Sequence, residues 1–258
     1  MVGGHAAGRA LSRRLDQVDV GFHRCGIDPA RDPVAFLEQV SAMRGLRLRG
    51  LLSHAGHGYS AGSQDELCAV AQREAETLTS IRDAAARSGI ALGELSVGAT
   101  PTLRFSVRQK GLTELRPGNY VYFDRAQVAL GAATLDDCAL TVLATVVSKH
   151  DGRIILDCGS KTLTNDEARG FVKPVGYGAV LAGAADERGE DERLTIERLS
   201  EEHATVRVNG RTPLEPGDRV RVVPNHSCVV SNLVDAVRLV EGDRVIDTIP
   251  VAARGRIT

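Results

Sequence analysis

Two residues near the end of the chain could do chemistry together. In Val222-Val223-Pro224-Asn225-His226-Ser227-Cys228-Val229-Val230, flanking valines favour an extended strand, where side chains two apart share a face. His226 and Cys228 then offer an imidazole and a thiolate side by side, a donor pair suited to a borderline-soft ion such as zinc. A closed structural zinc site needs four protein ligands, and no CxxC or HxxxH motif supplies the others. Two ligands leave positions open for water or substrate, a catalytic arrangement. The same spacing also suits a strand end with a buried cysteine and a half-exposed histidine, so spacing alone leaves both readings open.

A second group of chemical residues lies in the first half. Arg24, the His54-Ala55-Gly56-His57-Gly58-Tyr59 stretch and Gly98-Ala99-Thr100 each follow a short apolar run. Arginine and histidine in such places are often only solvated. Small residues that expose backbone N–H groups suit a phosphate, although Gly98-Ala99-Thr100 also reads as a simple turn before Pro101.

The elements that would position these residues change character midway. Ala6 to Leu15 reads as the tail of a helix with Arg9, Arg13 and Arg14 near its C-terminus. Val18 to Gly21 reads as a short buried strand. Asp32-Pro33 is a cap and first turn for a helix reaching Arg44, closed by Gly45. Leu46 to Ser53 is the next strand. Ser63 and Glu66 form a capping-box pattern, and Leu67, Val70, Ala71, Leu78, Ile81 and Ala85 fall on one helical face that ends at Gly89. Leu92 to Val97 is a further strand. Strand, loop and helix alternate as in a parallel sheet or barrel, whose chemistry collects in the loops after the strands.

Beyond residue 101 the pattern is β-rich and antiparallel. Tyr120 to Asp124, Ala139 to Lys149, Ile154 to Asp157, Leu194 to Leu199, Ala204 to Val208, Arg219 to Val223, Ala236 to Val240 and Arg244 to Pro250 read as strands, with Asn209-Gly210 a turn signal. Ala184 to Arg193 reads as a solvated charged loop.

Bulk properties bound the rest. The 258 residues are 43% hydrophobic and 25% charged, as in soluble globular proteins. A net charge of −1 gives no reason to expect nucleic acid or an anionic membrane as partner. Five scattered cysteines argue against a disulfide framework and for a reducing compartment, and no signal peptide or apolar membrane span is seen, so a cytoplasmic protein is expected.

The motifs Val18-Asp19-Val20-Gly21-Phe22-His23-Arg24-Cys25-Gly26, His54 to Tyr59, Gly98-Ala99-Thr100-Pro101-Thr102, Glu114-Leu115-Arg116-Pro117-Gly118-Asn119-Tyr120 and Pro224-Asn225-His226-Ser227-Cys228, in this order, resemble the D-serine dehydratase-like family. That family groups eukaryotic-type D-serine dehydratases with D-threonine aldolases on the alanine racemase (fold-type III) architecture. The resemblance implies an α/β plus β fold. Residues 1–118 would form an incomplete TIM-type (β/α) barrel that holds pyridoxal 5'-phosphate, and residues 119–258 a mainly antiparallel β-domain with a metal site. It implies that Arg24, Tyr59, Gly98, Ala99, Thr100 and Tyr120 contact the cofactor. His226 and Cys228 would bind Zn2+, with Mn2+ or another divalent ion as the alternative. Asn225 and Asn232 are candidates to support His226.

The activity implied is a lyase acting on a small D-3-hydroxy amino acid, converting D-serine to pyruvate and ammonia. A D-threonine aldolase-type C–C lyase and a non-catalytic metal-binding remnant are the alternatives. The aldolase branch usually has a carboxylate where Cys228 stands, so Cys228 leans towards the dehydratases. A homodimer is a family expectation. One departure is serious. The family's Schiff-base lysine sits in an Arg-Pro-His…Lys-Thr type of motif on an early barrel strand, and the lysines here are Lys110, Lys149, Lys161 and Lys173. No catalytic lysine is therefore assigned, the chain reads as N-terminally truncated, and inactivity as written is expected.

Overall fold

The computed structural model describes residues 12–182 and 189–256. The chain divides into two compact units after Gly118.

The first unit contains β1 (Ser12–Val18), α1 (Pro33–Ala42), β2 (Leu46–Ser53), α2 (Gln64–Arg87), β3 (Glu94–Val97), α3 (Leu103–Ser106) and β4 (Glu114–Leu115). The strands form one parallel sheet in the order β1-β2-β3-β4. Each new strand adds on the same side, with no reversal of order such as a doubly wound sheet has.

Local chemistry explains the helices. Asp32 caps α1 by accepting from Ala35 N at 3.0 Å, and Pro33 opens it. Ser63 Oγ accepts from Glu66 N at 3.1 Å at the start of α2. Glu66 reaches back to Gly62 N at 2.7 Å rather than to Ser63 N, so only half of the capping box forms. Gly89 ends the helix at φ +80°, the left-handed value that favours glycine. The predicted apolar face of α2 is buried in full. Its Leu78, Ile81 and Ala85 pack with Val18, Leu37, Leu51, Leu95 and Val97 into the core of the unit.

Ser12 to Leu15 belongs to β1 and not to a helix. Backbone pairing with β2 decides this, from Ser12 opposite Leu46 to Val18 opposite Ser53. Ala6 to Leu11, the rest of that expected helix, lies outside the described residues.

The second unit contains α4 (Arg125–Ala129), β5 (Val142–His150), β6 (Arg153–Leu156), α5 (Ser160–Leu163), β7 (Gly178–Ala182), β8 (Gly189–Glu190), β9 (Leu194–Leu199), β10 (Ala204–Val208), β11 (Arg219–Pro224), α6 (Ser227–Asn232), β12 (Ala236–Glu241) and β13 (Arg244–Pro250). Seven strands are ordered β8-β7-β11-β5-β6-β10-β9, and each described pairing is antiparallel. Tyr177 N, at the start of β7, donates to Ile196 O on β9 at 3.0 Å. That bond joins the two ends of the row β7-β11-β5-β6-β10-β9, giving a closed six-stranded antiparallel barrel with β8 attached to β7. Alternate residues fill it: Val142, Ala144 and Val146 from β5, Ile154 and Leu156 from β6, Ile196, Val206 and Val222 from their neighbours. β12 and β13 pair as a separate hairpin across Glu241-Gly242-Asp243.

Three further sequence expectations change. Val18 to Gly21 is not a strand of its own: β1 ends at Val18, and the chain bends after Asp19, whose Oδ1 accepts from Gly21 N at 3.0 Å. Tyr120 to Asp124 is not a strand: Asn119–Val121 is a 3-10 turn, closed by Tyr122 N and Phe123 N donating to Asn119 O at 3.1 and 2.8 Å. The charged stretch from Ala184 to Arg193 lies partly outside the described residues, but its Gly189–Glu190 pairs with β7.

Candidate functional site

In the first unit the loops after all four strands meet. Arg24, after β1, lies over the Phe22 ring at 5.2 Å. Phe22 meets the His54 ring edge-on at 5.6 Å. His54, after β2, hydrogen-bonds through Nδ1 to Gly98 O, after β3. A carbonyl only accepts, so Nδ1 carries the proton and Nε2 remains an acceptor. Burial lowers the His54 pKa, and the charges of Arg24 and Arg116 lower it further, so its ring is neutral near pH 7.

Arg116, directly after β4, binds the set together. Its Nε donates to Ser96 Oγ at 2.6 Å and its Nη2 to Ser53 O at 2.5 Å. A Cβ on Gly98 would lie 2.9 Å from Arg116 O, so only glycine lets this loop approach the arginine without a shift. Behind Ser53 sits Glu74 of α2, which is 1% exposed and accepts from Ser53 Oγ at 2.7 Å. Desolvation raises its pKa above the usual carboxylate value. Sequence reading assigned no role to Arg116 or Glu74. Glu74 did carry a signal, since it lies on the apolar stripe of α2, three and four residues from Ala71, Val70 and Leu78.

Ala99 and Thr100 are buried, and Thr100 Oγ1 is a buried hydroxyl with no hydrogen-bond partner. A buried polar atom of this kind costs about 1–3 kcal/mol unless a ligand or water satisfies it. Tyr59 is half-buried in the 3-10 turn Gly56–Ser60. The structure thus brings Arg24, His54 and Gly98 into one contact chain. Tyr120 belongs to the second unit, in the turn Asn119–Val121, and is half-exposed.

In the second unit His226 and Cys228 do not lie on a strand. β11 ends at Pro224, His226 caps α6, and Cys228 is the second residue of that short helix. Pro224 has no N–H to continue the ladder, and Asp124 Oδ2 takes the Ser227 N–H at 3.0 Å. The turn still brings the two side chains together. Cys228, and then Asp166, raises the His226 pKa to about 9 against the opposing effect of burial. His226 Nδ1 lies 2.5 Å from Asp166 Oδ2, which leaves Nε2 as the ring nitrogen for Cys228 or an ion.

Asp166, not Asn225, holds the histidine ring. Asn225 Nδ2 donates instead to Asp166 O at 3.1 Å and Gly176 O at 2.9 Å, which fixes the chain around Asp166. Among the described residues no set of three or more His, Cys, Asp or Glu side chains converges as a metal cage. Three of the four lysines are occupied: Lys149 pairs with Glu215, Lys161 with Glu201 and Glu202, and Lys173 with Glu167.

Similarity to known proteins covers both units. The family model for the alanine racemase N-terminal domain matches residues 13–126, and the serine dehydratase domain matches residues 139–240. The chain belongs to the D-serine dehydratase-like family. D-threo-3-hydroxyaspartate dehydratase of Delftia sp. (strain HT23) is 31% identical over 248 residues, covering 90% of this chain and 63% of that protein. D-threonine aldolase of Arthrobacter sp. is 29% identical over 248 residues, covering 93% and 60%. The chain spans less than two thirds of the length of these curated relatives. Among solved structures, a cysteine-to-alanine mutant of D-threo-3-hydroxyaspartate dehydratase in the metal-free form superimposes with a TM-score of 0.82 at 27% identity, over 92% of this chain and 65% of that one. A histidine-to-alanine mutant of that enzyme gives 0.80, at 27% identity, over 91% and 62%. The two mutated positions are two residues apart, as His226 and Cys228 are. Among the described residues no helix is long and apolar enough to cross a membrane.

Proposed function

We propose that this chain is the cofactor-contacting and metal-binding portion of a pyridoxal-phosphate- and zinc-dependent lyase acting on D-3-hydroxy amino acids, with D-serine as the reference substrate. The observation that carries the reading is the His226–Cys228 pair with Asp166 on the far ring nitrogen, in a chain of this family. Carboxylate, histidine and ion in series are a recurrent way of fixing the tautomer of a metal-binding imidazole.

The residues present fit both groups. For the phosphate, Thr100 Oγ1 is an unsatisfied buried hydroxyl beside the small Gly98-Ala99 backbone, with Arg24 in the neighbouring loop. For the ion, His226 Nε2 and Cys228 Sγ are the donors, and the positions they leave open would admit water and the substrate hydroxyl. When bound, pyridoxal phosphate supplies an electron sink for the carbanion formed at Cα, and zinc supplies a Lewis acid for the β-hydroxyl.

The chain's own residues bind and orient. Arg116 fixes the ends of β2 and β3 through Ser53 and Ser96, and so holds the loops that carry His54 and Gly98. Neutral His54 keeps its proton on Nδ1, held by Gly98 O, and offers Nε2 as an acceptor. Tyr59 and Tyr120 are the aromatic contacts the reading assigns to the cofactor. The four-stranded sheet is, in this reading, an arc of a (β/α) barrel, whose loops at strand C-termini form the active site.

The test is product analysis with the natural polypeptide that carries this chain. Pyruvate from D-serine supports the dehydratase reading. Glycine and acetaldehyde from D-threonine support the aldolase alternative, which the relationship to D-threonine aldolase keeps open. Metal uptake without turnover of any D-3-hydroxy amino acid leaves a metal-binding remnant.

A further inference from the structure

We propose that Asp124 and Asn119 are positioning residues that set the spacing and orientation of the His226–Cys228 pair. The proposal rests on the metal reading above and goes beyond the two ligands.

Asp124 is 1% exposed. Its Oδ1 accepts from Gln127 N at 3.0 Å and so caps α4, which fixes the plane of the carboxylate. Its Oδ2 accepts from Ser227 N at 3.0 Å and lies 3.4 Å from Ser227 Oγ. Ser227, fully buried, stands between His226 and Cys228. Clamping its N–H therefore fixes the one peptide segment that decides how far apart imidazole and sulfur lie. A segment of the chain over a hundred positions away in sequence thus sets the ligand geometry.

Asn119 connects the same carboxylate to the sulfur. Its Nδ2 carries two hydrogens. One goes to Asp124 Oδ2 at 2.5 Å, and the other faces Cys228 Sγ at 3.6 Å and Ser227 Oγ at 3.4 Å. An amide donor on sulfur restricts its rotamer, which suits a ligand. The amide itself cannot swing away, because Asp124 holds it. Asn119 Oδ1 is buried without a partner, so the hydrogen bonds that hold the amide are those of its Nδ2.

The two residues make separable predictions. Asp124→Asn puts an amide donor or a weaker acceptor against Ser227 N–H and Asn119 Nδ2, which loosens the clamp. Asn119→Ala leaves Asp124 Oδ2 on the Ser227 N–H and removes the amide's contacts with Cys228 Sγ, Ser227 Oγ and Asp124 Oδ2. The experiment is titration of the chain and both variants with Co2+, read by the thiolate-to-cobalt charge-transfer band in the near ultraviolet, with circular dichroism to confirm folding. The expected result is a band in the native chain, and in both variants a weakening of Co2+ affinity by about ten- to a hundredfold with a shifted band. Asn119→Ser, which cannot reach the sulfur, should behave as Asn119→Ala.

A native band with unchanged affinity and position in folded Asn119→Ala would overturn the positioning role and leave the metal reading standing. No band in the native chain would overturn the metal reading and this proposal with it. If Asp124→Asn does not fold, Asn119→Ala decides alone.

Discussion

His226 Nδ1 and Asp166 Oδ2 lie 2.5 Å apart across sixty residues of sequence. The carboxylate holds Nδ1 and so fixes which ring nitrogen, Nε2, is left to act as a ligand in the proposed metal site. Both side chains are partly exposed, and the pair's value lies in orientation more than in stability. Asp166→Asn should leave the fold intact and weaken Zn2+ binding by about ten- to a hundredfold, measured by competition with a chromogenic chelator. Unchanged affinity would show that Asp166 does not orient the ligand.

Glu74 makes the stability of the first unit depend on pH. Burial holds its carboxyl above the usual carboxylate range in the folded protein. A raised carboxylate pKa means that the folded state holds its proton more tightly than the unfolded chain does. The stabilisation is thus fully present below the unfolded pKa and is lost as pH rises through the folded one. Urea unfolding followed from below pH 4.5 upward should show that loss in the native chain. Glu74→Gln, which keeps an oxygen for Ser53 Oγ, should remove it.

Gly98→Ala tests the packing of the loop that the proposed function assigns to the phosphate. The added Cβ would stand 2.9 Å from Arg116 O, against backbone that cannot swing away. Destabilisation of about 1–3 kcal/mol is expected from urea melts. Binding of free pyridoxal phosphate, followed by fluorescence quenching, should fall as Thr100 is displaced.

The Ser63 cap holds the start of α2, whose length carries Glu74 to the end of β2. Ser63→Ala removes the acceptor for Glu66 N and should cost about 1 kcal/mol, visible as a lowered melting midpoint. Ser63→Asp should restore most of it, because aspartate caps as well and favours the positive end of the helix dipole.

Regular elements with a local signature were legible in the sequence. β2 runs from Leu46 to Ser53 as its alternation and flanking turns predict, and the apolar stripe of α2 is buried as its 3.6-residue period requires. β9 and β10 pair where two apolar alternations are separated by a polar turn. Where tertiary partners decide, local pattern misleads. Val229 and Val230 favour a strand, yet they turn into α6 because Pro224 ends the ladder and Asp124, far away in sequence, takes the Ser227 N–H. Tyr120 to Asp124 alternates like a strand but closes as a turn on Asn119 O.

The candidate site was legible as residue types and not as a network. His226, Cys228, Arg24, His54 and Gly98 could be singled out by type and place. Asp166 could not, since nothing near Thr164-Asn165-Asp166 marks it, and only folding brings it to His226. Arg116 stood within a recognised motif, but its bonds to Ser53 and Ser96 require three strand ends to be adjacent.

In the proposed reaction Cys228, through zinc, makes a D-3-hydroxy amino acid lose its hydroxyl. This is tested most directly by pyruvate release from D-serine in the natural polypeptide, supplied with pyridoxal phosphate and either stripped of metal or loaded with Zn2+, beside its Cys228→Ala variant. Pyruvate is expected only with zinc and is expected to be lost in Cys228→Ala. Pyruvate formation that is indifferent to chelation and to Cys228→Ala would contradict it.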